Sequence, residues 1–122
     1  KIETTAAGVT VTGTVTDSLG HSVRKIPVNT KTSAYTATAS DAGTAFHTTH
    51  GITLNNSVFS SGDAVTIVNN SGSAITITQG SGLTIHNSAD ATSGNRTLAG
   101  RGMATVWFAA ADTAYISGAG LS

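Results

Sequence analysis

The chain has 122 residues and no net formal charge, six Lys and Arg standing against six Asp and Glu. That balance excludes the basic excess on which phosphate-neutralising nucleic-acid binders and polybasic membrane patches rely, and no apolar run of about 18 residues is present to insert into a membrane as a helix. Cysteine is absent, which removes disulfide frameworks and thiolate metal sites, and the length fits one domain with a short appendage.

What the chain has instead is polar and uncharged: 22 Thr, 14 Ser, 14 Gly and 7 Asn, against a single Pro. Thr suits a pleated, half-buried surface, and Gly, Asn and Ser suit turns, so the composition points to an all-β protein. Large apolar residues are sparse: nine Val, eight Ile, five Leu and three Phe. So thin a core must offset an ordering cost of roughly 1.5 kcal/mol per residue. Part of the apolar surface is therefore expected to be shared between identical subunits.

In chain order, residues 8–16 come first. Val9, Val11, Gly13 and Val15 alternate with Thr10, Thr12, Thr14 and Thr16, the period-two signature of a half-buried strand. Asp17-Ser18-Leu19-Gly20 ends it as a turn. A lone strand is unstable in water, so its partners must lie elsewhere in the chain or in identical neighbours. Residues 1–20 are thus expected to be the end of a shaft. Residues 21–31, with His21, Arg24, Lys25 and Lys31 around Pro27, read as a more charged connector. Residues 32–122 are expected to form a β-rich knob.

Within the knob the expected strands are 32–39, 44–49, 52–54, 57–59, 64–69, 74–79, 83–87, 95–99, 103–109 and 113–117. Gly-, Ser-, Asn- and Asp-rich turns separate them, a spacing that indicates an antiparallel sandwich or barrel. Val65 and Ile67 face Ile75 and Ile77 across Asn69-Asn70-Ser71-Gly72 in an expected central hairpin. Residues 103–109 are the most apolar strand and are expected to lie centrally, with Trp107 in the core or at a subunit interface.

Catalytic patterns are scarce. Of the acids Glu3, Asp17, Asp41, Asp63, Asp90 and Asp112, four fall in expected turns (Asp17, Asp41, Asp63 and Asp112), where Asp caps or bends backbone. No Gly-x-Ser-x-Gly elbow, Walker loop or helix-leading Gly-x-Gly-x-x-Gly is present. His47 and His50 are the one outside candidate for a metal. On a flat strand they point to opposite faces, so chelation needs a turn at Thr49, or a ring of copies about a three-fold axis. No cofactor and no catalytic residue are expected. The exposed aromatics, where there are any, could stack on sugar rings.

A resemblance adds to this reading. The ordered stretches Lys25-Ile26-Pro27-Val28-Asn29, Lys31-Thr32-Ser33-Ala34-Tyr35-Thr36 and Ala39-Ser40-Asp41-Ala42-Gly43 open the series. Ser61-Gly62-Asp63-Ala64-Val65-Thr66-Ile67-Val68-Asn69-Asn70 and Ala74-Ile75-Thr76-Ile77-Thr78-Gln79-Gly80 continue it. Gly94-Asn95-Arg96-Thr97-Leu98-Ala99 and Tyr115-Ile116-Ser117-Gly118-Ala119-Gly120 close it. Together they resemble the C-terminal β-domain of bacteriophage fibre and appendage proteins, tail fibres or head fibres. Residues 1–16 resemble the end of the repetitive shaft that precedes such a domain. The resemblance implies a virion structural protein, an intertwined homotrimer without catalytic residues. It would be attached to other virion proteins through a segment before Lys1 and would bind a host-surface glycan or protein. A capsid decoration protein is the alternative; a glycan depolymerase and a sugar-binding module of a cellular enzyme are further ones. Neither nucleic acid nor membrane insertion is expected.

Overall fold

The computed structural model describes residues 8–122. Two columns of parallel strands organise them. In the first column β1 (Val28–Lys31) pairs with β3 (Ala45–Thr48), which pairs with β5 (Ala64–Asn69). In the second, β2 (Tyr35–Thr36) pairs with β4 (Ile52–Leu54), which pairs with β6 (Ile75–Gln79). The chain therefore winds. Each turn of the winding places one strand in each column before the next turn stacks on it. Parallel neighbours need a long crossover, and here the rest of the turn supplies it.

The last strands close the winding. β7 (Thr84–Asn87) leaves the second column, and β8 (Arg96–Ala110) then runs back across the end. The segment Met103–Trp107 of β8 lies antiparallel to β5, and Arg96–Leu98 lies antiparallel to β6. One bent strand thus joins both columns. The bend sits at Arg101, whose φ is +63°, above the corner of the turn below. The Arg101 N–H donates to Ser71 O at 3.1 Å, and its guanidinium donates to Asn70 O at 2.9 Å. Gly100 allows this approach: a Cβ there would stand 2.5 Å from Gly72 O. β9 (Thr113–Leu121) pairs antiparallel with β8 and parallel with β7, giving a nearly closed, barrel-like sheet of nine strands.

The all-β class is as the composition implied and the sheet is barrel-like, but it is not the antiparallel arrangement expected. Five of the eight ladders are parallel. The expected central hairpin is not one either: β5 and β6 stand in different columns and do not pair. Buried Asn69 explains why. Its amide donates to Ser73 O (2.8 Å), Leu98 O (3.1 Å) and Ala99 O (3.0 Å), and its carbonyl accepts from the Ser71 N–H (2.9 Å). The side chain holds residues 69–73 as a corner and ties it to β8. Residues 57–59 are a turn rather than a strand, and Val28–Lys31, expected in the connector, belongs to the sheet.

Inward positions follow the alternation within each strand. Phe46 lies against Ile67, which lies against Ala104; Ile52 lies against Ile77. Phe59 and Phe108 meet at 4.6 Å between ring centroids. Nearly every Ile, Leu and Phe beyond residue 50 is buried. Full burial is worth about 1.5–3 kcal/mol for each such side chain. One protomer thus has a continuous core, built from the Ile, Leu, Phe and Val residues of the winding, while the apolar residues of the N-terminal segment stay outside it.

The first turn of the winding is polar inside. Asp41, buried after a single 3-10 turn (Ala39–Asp41), accepts from Asn29 Nδ2 (2.7 Å), the Tyr35 hydroxyl (3.0 Å) and the Thr38 N–H (2.8 Å). Lys31 Nζ sits 3.6 Å from the Tyr35 ring centroid. This network closes the end opposite β8 with satisfied polar groups.

Residues 8–27 differ throughout. They hold no strand, only an isolated bridge between Thr16 and Ser22 around the expected turn at Asp17. The Asp17 carboxylate accepts from the Leu19 and His21 N–H groups. Those hydrogen bonds, that from His21 foremost, hold its pKa below the ordinary value. Val11 is 54% exposed and Ile26 65%.

Candidate binding face

The outward positions of β7, β9 and β8 carry the chemistry. The register places His86 beside Tyr115 and Tyr115 beside Trp107, three rings in a row across three strands. Centroids are 5.1 Å apart for His86 and Tyr115 and 6.3 Å for Tyr115 and Trp107, with planes tilted by 33° and 38°. Trp107 is 48% exposed and Tyr115 43%. The next rows hold Ser117, Thr105 and Thr66, and then Ala119, Met103 and Val68. The Thr66 and Thr105 hydroxyls bond each other at 3.2 Å.

Trp107 therefore faces out of the protomer, where a core position had been one of the two expectations. Ala104, Val106 and Phe108 take the inward positions of β8, and period two sends Met103 and Trp107 the other way. β8 is central as expected, paired on both edges.

A groove of about 410 Å³ opens at the His86 end of the row, lined by His86, Asn87, Ser88, Ala91 and Tyr115. Its lip is a tightly bonded loop. The Ala91 N–H donates to Asn87 O at 2.9 Å, and the Asn87 N–H to Thr92 O at 2.7 Å. Asp90 accepts from the Thr92 hydroxyl (2.7 Å) and N–H (3.0 Å), which hold its carboxyl below the ordinary pKa. Arg96 donates to the Thr92 hydroxyl at 2.8 Å. These bonds hold Ala91 at φ +62°, an uncommon backbone for a non-glycine residue.

The two histidines weighed as metal ligands are not brought together. His47 lies on the outward side of β3, in register with Thr30 and Val68. His50 lies past the strand at an exposed corner, its Nδ1 2.9 Å from the Thr49 hydroxyl. No group of three or more His, Cys, Asp or Glu side chains gathers among the described residues.

The remaining described acids are engaged by groups nearby. Asp63 accepts from the Ser60 N–H at 2.8 Å, and Asp112 from the Thr113 hydroxyl. Glu3 lies outside the described residues. A second hollow, of about 340 Å³, lies between Leu19, His21 and the first turn of the winding. Its one acid, Asp41, is occupied by the network above.

Residues 86, 107 and 115 share nothing in sequence that announces a common row. Only the parallel β7–β9 ladder brings His86 to Tyr115. The available signal was local: the inward set of β8 already excluded Trp107. No family model, curated protein or solved structure matches the chain.

Proposed function

We propose that this chain is the terminal knob of a bacteriophage fibre, a non-enzymatic homotrimer that adheres to the host surface through a glycan or protein receptor. The carrying observation is the contrast between a self-sufficient coil and residues 8–27. Val9, Val11, Val15, Leu19, Val23 and Ile26 are all exposed in one protomer, and a single bridge orders the segment. A strand-patterned apolar segment in that condition calls for partners. Equivalent segments of two further copies, intertwined as a shaft, would cover it with its own kind. The ordered motifs that resemble phage fibre domains support the same reading, as do the scarcity of charge and the engagement of the described acids by nearby groups.

Size-exclusion chromatography with light scattering tests the assembly. The expected mass is about three times the 12.1 kDa of the chain. A folded protomer that stays single at micromolar concentration would overturn the proposal.

A further inference from the structure

We infer that the Trp107–Tyr115–His86 row is a stacking platform for an uncharged glycan, with the adjoining groove supplying hydrogen-bonding groups. The inference deepens the adhesive reading above and rests on it for the glycan as target. It has its own structural support.

The row spans two strand spacings, about 10 Å, the length of a short run of sugar rings. Sugars present apolar C–H faces edged by hydroxyls. Aromatic rings bind the first, and amides and hydroxyls bind the second. Both kinds occur here: three tilted rings, then the exposed Ser88 hydroxyl in the groove. Trp107 and Tyr115 are exposed, which leaves the indole N–H and the phenol hydroxyl as polar edges on the platform for a ligand.

Charge decides the class of glycan. The outward positions of β7, β9, β5 and the Met103–Trp107 part of β8 include no Lys, Arg, Asp or Glu. Arg96, the cation at the lip of the groove, is already bonded to oxygens of Thr92, Ser93, Gly94 and Asn95, so an anionic polymer would meet no unengaged cation on the face. Rigidity decides affinity. Tyr115 is paired on both sides by backbone ladders, and the loop beyond Asn87 is bonded shut, so little ordering remains to be paid on binding. The Ser117, Thr105 and Thr66 hydroxyls separate the rings from Met103 and border the platform with groups suited to sugar hydroxyls.

Trp107 is the single tryptophan of the chain, so intrinsic fluorescence reports this face alone. The 122-residue protein should be titrated with neutral glucose-, galactose- and N-acetylglucosamine-based oligosaccharides, and with uronic-acid oligosaccharides in parallel. At least one neutral sugar is expected to change Trp107 emission saturably. Tyr115→Ala and His86→Ala should each weaken that response ten-fold or more while keeping the melting temperature of the parent. Silence across the neutral panel, preference for the acidic sugars, or binding indifferent to both substitutions would overturn the inference. So would a Trp107 shielded from acrylamide in the assembled protein, which would put the row between copies and leave the trimer intact. A monomer that still answers to sugar would keep the platform and remove the fibre reading.

Discussion

Residues 9–15 and residues 65–69 carry the same pattern and meet opposite fates. Val9, Val11 and Val15 alternate with Thr, as Val65 and Ile67 alternate with Thr66 and Val68. The second set is buried beneath β3 and β8; the first is exposed along its whole length. Alternation states that a strand has two unlike faces. Whether the apolar face is covered depends on what the rest of the chain can bring to it. The coil provides its own partners because each turn stacks on the last. The N-terminal segment precedes the first turn and finds no strand partner among the described residues of its protomer.

Substitutions sharpen this contrast, beginning with the core. Phe46→Ala should cost about 3–5 kcal/mol in chemical denaturation, through lost burial and the cavity left between β3 and β5. A loss below about 1 kcal/mol would mean the winding is not tightly packed there. Asn69→Ala should cost about 2–4 kcal/mol, because it strips partners from buried Leu98 O and from the corner at Ser71 and Ser73. Loss of amide-exchange protection should centre on residues 69–73 and 98–101.

Gly118→Ala should cost about 1–3 kcal/mol, since its Cβ would strike Met103 O and Ala104 across the β8–β9 ladder. The same denaturation curves will report it. Val11→Ala should leave protomer unfolding within about 0.5 kcal/mol of the parent and lower only the assembled mass at dilution. An equal effect on the isolated protomer would erase the contrast between segment and coil.

The smallest effect is one of pH. Asp17 and Asp90 both ionise more readily folded than unfolded, because backbone and hydroxyl donors hold their carboxylates. Their contribution is present above the unfolded value and fades as pH falls through the lower folded one, below about pH 4. Amide exchange at His21 and Thr92 should quicken there, and Asp90→Asn should remove the Thr92 response.

Much of the strand content was legible. Residues 52–54 and 64–69 match β4 and β6's predecessor β5 residue for residue, because their alternation is strict and turn residues bound them. β1 was hidden by its neighbours: Lys31 and Pro27 suggest a connector, and its inward residues Asn29 and Lys31 are polar because they close an end. The ring row was hidden for another reason. Trp107 and Tyr115 are eight positions apart and His86 lies further off, so only strand pairing makes them neighbours.

Composition and local alternation, then, determined that this chain is built of strands, which side of each strand is apolar, and where the backbone bends. These are properties of a few adjacent residues. Which strand lies beside which, in parallel or antiparallel sense, was decided only in three dimensions. A strand offers the same backbone donors and acceptors to either kind of neighbour, and Asn69 becomes a corner rather than a hairpin only when β8 arrives to accept its hydrogen bonds.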